Sequence, residues 1–164
     1  MRAPVRLLRL LAILLVVLPS TACGPVVDLT KGLQILDVST GWFDAGLVDG
    51  QNKLVPVVSF KLKNVSDQTL VTLQVNALFR RVAEKDEWGS GFLTAAGTAG
   101  LAPGATTQTL TIKSNLGYKG PEPRQEMLRN SLFVDAKFEL SAKYGSSQYS
   151  RIGEYPIKRE LIVR

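Results

Sequence analysis

The chain contains no histidine, and that one absence removes whole groups of chemistry. Serine or cysteine catalysis through an imidazole base has no base, and a zinc site built on imidazole has no ligand. Cysteine occurs once, at Cys23, so the chain can make neither an internal disulfide nor a thiolate cluster. No Ser-x-x-Lys spacing occurs, and Ser59/Lys61 and Ser141/Lys143 read as neighbours on solvated strand faces. No calcium-loop spacing of oxygen ligands is present. Glu84, Asp86 and Glu87 are the densest acids, but Lys85 sits among them and the segment reads as a hairpin tip. Gly89, Gly91, Gly97, Gly100 and Gly104 lack the lysine and the strand-to-helix setting of a phosphate loop. No cofactor is implied, and the expectation is a protein that is not an enzyme.

Long apolar runs are also missing. The longest, residues 10–18, is well short of the roughly 20 residues a spanning helix needs. It follows Arg2, Arg6 and Arg9 and precedes Pro19-Ser20-Thr21-Ala22-Cys23. A positive start, a short apolar middle and small residues at the end are the layout of a secretory signal. Removing residues 1–22 takes those three arginines away and lowers the net charge from +6 to +3. The remaining charges are mixed in sign, so the basicity carries no nucleic-acid signature.

The small residues before Cys23 resemble the bacterial lipoprotein signal, in which the cysteine after the cut carries a diacylglyceryl group. Ser20 stands where that pattern prefers leucine. The resemblance implies a lipid on Cys23 and a membrane partner. Gly24 follows the cysteine in place of the aspartate of inner-membrane retention, which implies delivery to the periplasmic face of the outer membrane. Ordinary cleavage after Ala22, releasing a soluble periplasmic protein, stays open beside it.

Gly24 and Pro25 disfavour regular structure, so residues 23–32 read as a tether to a domain over residues 33–164. In that domain the hydrophobic period is two. Leu132, Val134, Ala136, Phe138, Leu140, Ala142 and Tyr144 alternate with Asp135, Lys137, Glu139, Ser141 and Lys143. Val58, Phe60 and Leu62 alternate with Ser59, Lys61 and Lys63, and Val71 to Phe79 continues the pattern beyond a polar turn at residues 64–68 that reads as a hairpin. Further strands are expected at residues 33–42, 88–94, 109–113 and 155–163, with a short helix at 123–130 and a mobile Gly/Ala/Thr-rich loop at 94–107. About seven strands with turns between them predict an all-β, two-sheet sandwich.

The order strand, Lys63-Asn64-Val65-Ser66, strand, charged turn, then Leu101-Ala102-Pro103-Gly104 before a Thr-rich strand resembles the immunoglobulin-like domains of bacterial envelope lipoproteins, of the FxLYD type. Ala77-Leu78-Phe79-Arg80 lies on the strand where that type carries its aromatic-Leu-Tyr-Asp signature. The resemblance implies an immunoglobulin-like β-sandwich that binds or spaces other envelope components.

A binding sandwich usually recognises its partner through aromatic side chains. Trp88 and Tyr118 fall in expected loops and are the candidate contacts, either for a protein or for stacking on a sugar; the alternative is that each folds back over the sandwich end as a plug. Trp42 and Tyr155 read as packing residues. Lys158, Arg159 and Arg164 are candidates for anionic headgroups. The expected function is thus a lipid-anchored, non-catalytic binding or assembly module of the bacterial envelope that meets another envelope protein. A carbohydrate or cell-wall module, or a hydrolase using two carboxylates, is the alternative.

Overall fold

The computed structural model describes residues 26–162. Cys23 and the expected signal lie outside them. Among the described residues, no helix is long and apolar enough to cross a membrane.

Regular structure begins earlier than the tether reading allows. A helical turn, α1 (Leu29–Gly32), is capped by Asp28, whose carboxylate accepts from Thr30 N at 3.0 Å. Leu29 is buried in the core. The boundary expected at residue 33 therefore moves towards the N-terminus, because one apolar side chain and one cap suffice to fix a turn against the sandwich.

Strands β1 (Leu33–Val48) and β2 (Gln51–Asn64) form one long antiparallel hairpin. Asp49 and Gly50 close it with φ of 54° and 76°, the positive pair that a two-residue type I′ loop requires. Two bulges interrupt β1, between Leu36 and Ser39 and between Asp44 and Leu47. Extra residues at such points bend and twist a strand. On its far side β2 takes two partners in succession, β5 (Leu110–Lys113) along Val57–Phe60 and β6 (Tyr118–Gly120) along Asn52–Leu54. The short β9 (Leu161–Ile162) runs parallel to β1 at Trp42 and Phe43. The second sheet has the order β4-β3-β7-β8, all antiparallel: β3 (Leu73–Arg81), β4 (Gly89–Ala96), β7 (Ala136–Lys143) and β8 (Ser150–Pro156). A single helix, α2 (Arg124–Arg129), lies between β6 and β7, where one was expected.

One core lies between the sheets. Trp42, Leu54, Val58, Phe60 and Leu62 from the first sheet meet Leu73, Val75, Ala77, Phe79, Phe138, Leu140 and Ala142 from the second, all without exposed surface. The protein is an all-β sandwich, with nine strands among the described residues where about seven were expected.

Three expected features differ in detail. Residues 64–68 are not a hairpin turn, since β2 and β3 belong to different sheets and the segment crosses between them. The crossing is held by Asn64, which is fully buried: its amide nitrogen donates to Leu101 O at 2.7 Å and Gln68 O at 2.8 Å, and its carbonyl oxygen accepts from Ser66 N at 3.0 Å and Ser66 Oγ at 2.7 Å. Leu101 in turn bridges to Leu70, so the 94–107 segment expected to be a mobile loop is stitched to the crossing. Second, the strand expected from residue 132 starts only at Ala136. Leu132 is 85% exposed and Val134 is exposed, whereas Phe133 between them is buried. Arg159 causes this phase change, pinning the preceding loop through Phe133 O at 2.8 Å, Leu128 O at 3.3 Å and the Asp135 carboxylate at 2.6 Å. Third, the expected last strand is two: β8 ends at Pro156, and residues 157–160 carry the chain across to β9 in the other sheet.

Candidate binding surface

At the end of the sandwich reached by the C-terminal end of β3, four rings from four segments meet. Trp42 comes from β1, Trp88 from the β3–β4 turn, Tyr118 from the start of β6 and Phe133 from the loop before β7. Centroid distances are 4.8 Å for Trp88–Tyr118, 4.8 Å for Tyr118–Phe133, 5.6 Å for Trp42–Tyr118 and 6.2 Å for Trp42–Trp88. Trp42 and Phe133 meet edge to face at 4.7 Å and 76°. Such tilted and T-shaped arrangements suit the ring quadrupoles. Trp42 Nε1 is buried with no hydrogen-bond partner, a cost that the packing around it has to offset.

Two glycines allow this meeting. A side chain at Gly117 would collide with the Leu54 carbonyl, so the 114–117 loop lies directly on β2 before delivering Tyr118. A side chain at Gly89 would collide with Ser114 Oγ. With both absent, Asn115 and Ser90 exchange hydrogen bonds across the two sheets, Ser90 N to Asn115 Oδ1 at 2.9 Å and Asn115 N to Ser90 O at 3.1 Å. Trp88 is fixed by its own N–H, which donates to Phe79 O at 2.9 Å.

Arg81, the last residue of β3, lays its guanidinium 5.3 Å from the Trp88 centroid and 5.8 Å from that of Tyr118. Its ion pair with Glu84 at 3.0 Å holds it charged, raising its pKa further. Burial pushes the Tyr118 phenol above its ordinary value, while the Arg81 charge acts in the opposite direction. The phenol donates to Val134 O at 3.2 Å. Around these half-buried rings stand the exposed side chains of Val82, Leu116, Leu132 and Val134. Beside them is a shallow hollow of about 230 Å³ lined by Tyr118, Gly120, Met127, Asn130, Leu132 and Phe133.

Trp88 and Tyr118 are thus brought together, and each also plugs the sandwich end. The sequence singled out Trp88 and Tyr118 one by one and did not single out Phe133; Trp42, read as packing, is the buried floor of the cluster. Tyr155 stacks on Phe138 at 5.4 Å, as a packing residue should.

No family model matches the chain, and no curated protein matches it. Solved structures similar to the chain include two structural-genomics targets. One, an X-ray structure of a Northeast Structural Genomics Consortium target, is 12% identical over 79% of this chain and 88% of its own, with a TM-score of 0.42. The other, a Bordetella pertussis protein provisionally named ApaA, is 15% identical over 77% of this chain and 93% of its own, with a TM-score of 0.43. Neither likeness bears on function.

The other candidate groups are committed to local contacts. Ser59 Oγ bonds Thr111 Oγ1 at 2.9 Å, and Lys61 pairs with Asp37 at 2.9 Å, so the two do not form a dyad. Asp44 pairs with Arg124, whose guanidinium holds the carboxyl below its ordinary pKa, and Asp49 is lowered in the same way by Lys119 at 2.7 Å. Glu84 faces Arg81 at the hairpin tip. Among the described residues, no group of His, Cys, Asp or Glu is placed to hold a metal ion. Arg159, expected as a headgroup contact, is built into the fold by Asp135 and three carbonyls, and Arg164 lies outside the described residues.

Proposed function

We propose that the chain is a non-catalytic binding or assembly module of the bacterial cell envelope. A lipid on Cys23 tethers it, on the periplasmic face of the outer membrane, and the Trp88/Tyr118 end meets another envelope protein. The observation that carries the binding reading is the exposed apolar rim of Val82, Leu116, Leu132 and Val134 around a Trp–Tyr–Arg cluster. Tryptophan, tyrosine and arginine are the residues over-represented where binding energy concentrates, and a water-excluding apolar surround is what makes them effective. The lipoprotein-like signal supports the anchor. The FxLYD-type resemblance supports a spacing or binding role.

A sugar platform on the same aromatics fits less well. Stacking needs an open ring face, and Trp88 is already engaged by Tyr118, Trp42 and the Arg81 guanidinium. The rim, by contrast, offers aliphatic groups that suit a protein surface.

A photo-crosslinking amino acid placed at Leu132 tests this in intact cells, with the same group at Phe92, an exposed residue on the edge strand β4, as the comparison. The expected result is a discrete adduct with one envelope protein from position 132, abolished by Leu116→Asp. No adduct at 132, or one that survives Leu116→Asp, refutes the assignment of this surface.

A further inference from the structure

The opposite end of the sandwich has its own exposed apolar surface, and the chain leaves from its middle. Val26, the first described residue, is 78% exposed, Val65 and Val71 are exposed beside it, and Tyr149 is exposed on the β7–β8 turn. Two hollows meet at Val26. One, of about 290 Å³, is lined by Val26, Lys31, Val65 and Asp67, and the other, of about 700 Å³, by Val26, Val71, Tyr144 and Gln148. The exit is held firmly. Val27 N donates to the Tyr144 hydroxyl at 2.6 Å, and Gly145 N donates to Val71 O at 2.9 Å, which sets Val71 against the β7–β8 turn. Lys143 lies 5.2 Å from the Tyr149 ring, and Lys31 is exposed nearby. The acids here are Asp28, engaged in capping α1, and Asp67. The lysines and the acids balance, so the face offers apolar contact more than net charge.

We infer that this end is the face that rests on the lipid surface, with Val26, Val71 and Tyr149 at the interface and Lys31 and Lys143 at headgroup level. The inference rests on the anchor proposed above. Only Gly24 and Pro25 separate Cys23 from Val26, and three residues of chain span at most about 10 Å. A diacylglyceryl group on Cys23 therefore brings the bilayer surface to the very residues that leave apolar area uncovered. Tyrosine favours the membrane–water interface, and lysine beside it reaches the phosphates. The β3 strand separates the two ends of the sandwich by roughly 26 Å at the usual rise per residue. Resting on Val71 and Tyr149 therefore holds the Trp88/Tyr118 end away from the membrane.

The test uses the full chain expressed in a bacterial host and extracted from membranes. Since Cys23 is the only native cysteine, Tyr149→Cys and Leu116→Cys each add one addressable thiol, at opposite ends and at exposed positions. Each variant is labelled with a polarity-sensitive dye and reconstituted into phosphatidylethanolamine–phosphatidylglycerol vesicles, and intact mass reports the state of Cys23. The expected result is a lipidated Cys23 and a label at 149 several-fold less accessible to an aqueous quencher than the label at 116. Amide hydrogen exchange on the unsubstituted protein should slow at residues 144–150 on reconstitution, independently of either cysteine. A lipidated chain whose two labels are equally quenched, or whose label at 116 is the shielded one, overturns the docking face and leaves the anchor standing. An unmodified Cys23 overturns both.

Discussion

Replacing Asn64 by aspartate exchanges an amide NH2 for a carboxylate oxygen at a position with no exposed surface. The acceptor half of the side chain, facing Ser66 N and Oγ, is unchanged in shape and chemistry. The donor half is not. Where the amide donated to Leu101 O and Gln68 O, the variant turns a negative oxygen towards two carbonyl oxygens at about 2.7–2.8 Å. Leu101 O keeps its bond from Leu70 N and Gln68 O its bond from Ser66 Oγ, so the cost comes from the charge turned towards them, and an uncompensated buried charge costs about 3–5 kcal/mol. A loss of about 3–5 kcal/mol at neutral pH follows, a large part of the 5–15 kcal/mol typical of a domain. The sign of the pH dependence is fixed by the same geometry. A protonated aspartic acid can return one of the two donated bonds, so folding raises the carboxyl's pKa above its unfolded value of about 3.9. The folded state then binds the proton more tightly than the unfolded one. The penalty is smallest below the unfolded value, grows as pH rises through the folded one, and is constant beyond. Denaturant melts of the wild type, Asn64→Asp and Asn64→Ala across pH 4 to 8 measure this. Asn64→Ala should lose about 2–4 kcal/mol with no such pH dependence, since it removes the donors and adds no charge. An Asn64→Asp protein within about 1 kcal/mol of wild type at neutral pH, or one whose deficit shrinks as pH rises, would refute the account of this crossing.

Three further outcomes follow from the aromatic end. Trp88→Ala should cost about 2 kcal/mol in denaturant melts, less than the 3–5 of a fully buried tryptophan because the ring is only partly covered. Gly117→Ala should cost about 1–3 kcal/mol through its clash with the Leu54 carbonyl, and weaken the near-ultraviolet circular dichroism of the ring cluster, whereas Gly97→Ala, at a site with open space, should do neither. Arg81→Gln should raise the Tyr118 phenol still further above its ordinary value, because the guanidinium opposes burial there. Ultraviolet titration against a Tyr118→Phe control reads that shift, and a downward movement would contradict the arrangement.

The fold was legible where a strand has one wet face. Val75, Ala77 and Phe79, and Phe138, Leu140 and Ala142, alternate with polar residues because β3 and β7 pair with each other inside one sheet whose outer face is solvated. The pattern misleads where the cause lies far along the chain. Leu132 and Val134 continue the alternation of β7 in sequence, but Arg159, more than twenty residues later, draws the backbone aside and buries Phe133 instead. Residues 155–163 read as one strand in the sequence, although Pro156 and the charged run Lys158-Arg159-Glu160 mark the point where β8 ends and the chain changes sheet. Trp88 and Tyr118 could be picked out one by one as loop aromatics. That they form one cluster depends on Gly89 and Gly117, whose role is visible only as a missing clash.

The segments Lys63-Asn64-Val65-Ser66 and Leu101-Ala102-Pro103-Gly104 are joined in a way that local turn chemistry conceals. A polar turn after an asparagine serves a hairpin and a sheet crossing equally well, because both use the side-chain oxygen to accept from the N–H two residues on. The two differ in what the amide nitrogen reaches. In a hairpin the partner strand already satisfies the nearby carbonyls. In a crossing the amide nitrogen can reach carbonyls of a segment distant in sequence and tie the two together. Here Asn64 adds a second bond to two carbonyls that already accept one, Gln68 O from Ser66 Oγ within the crossing and Leu101 O from Leu70 N in the second motif, while Gly104 N donates to Asn64 O and Asn64 N to Ala105 O. The two motifs form one hydrogen-bonded knot. The knot lies at the end from which the chain departs towards Cys23, with Ser66 and Gln68 bordering the hollows at Val26. A polar knot helps to close that end beside Tyr144, and the Trp42/Trp88/Tyr118/Phe133 cluster lies at the other. Damage to the knot should therefore appear as lost stability, whereas substitutions on the aromatic rim should appear as lost binding with the fold retained. Asn64→Asp and Leu116→Asp, measured side by side for melting and for cross-linking from position 132, separate the two.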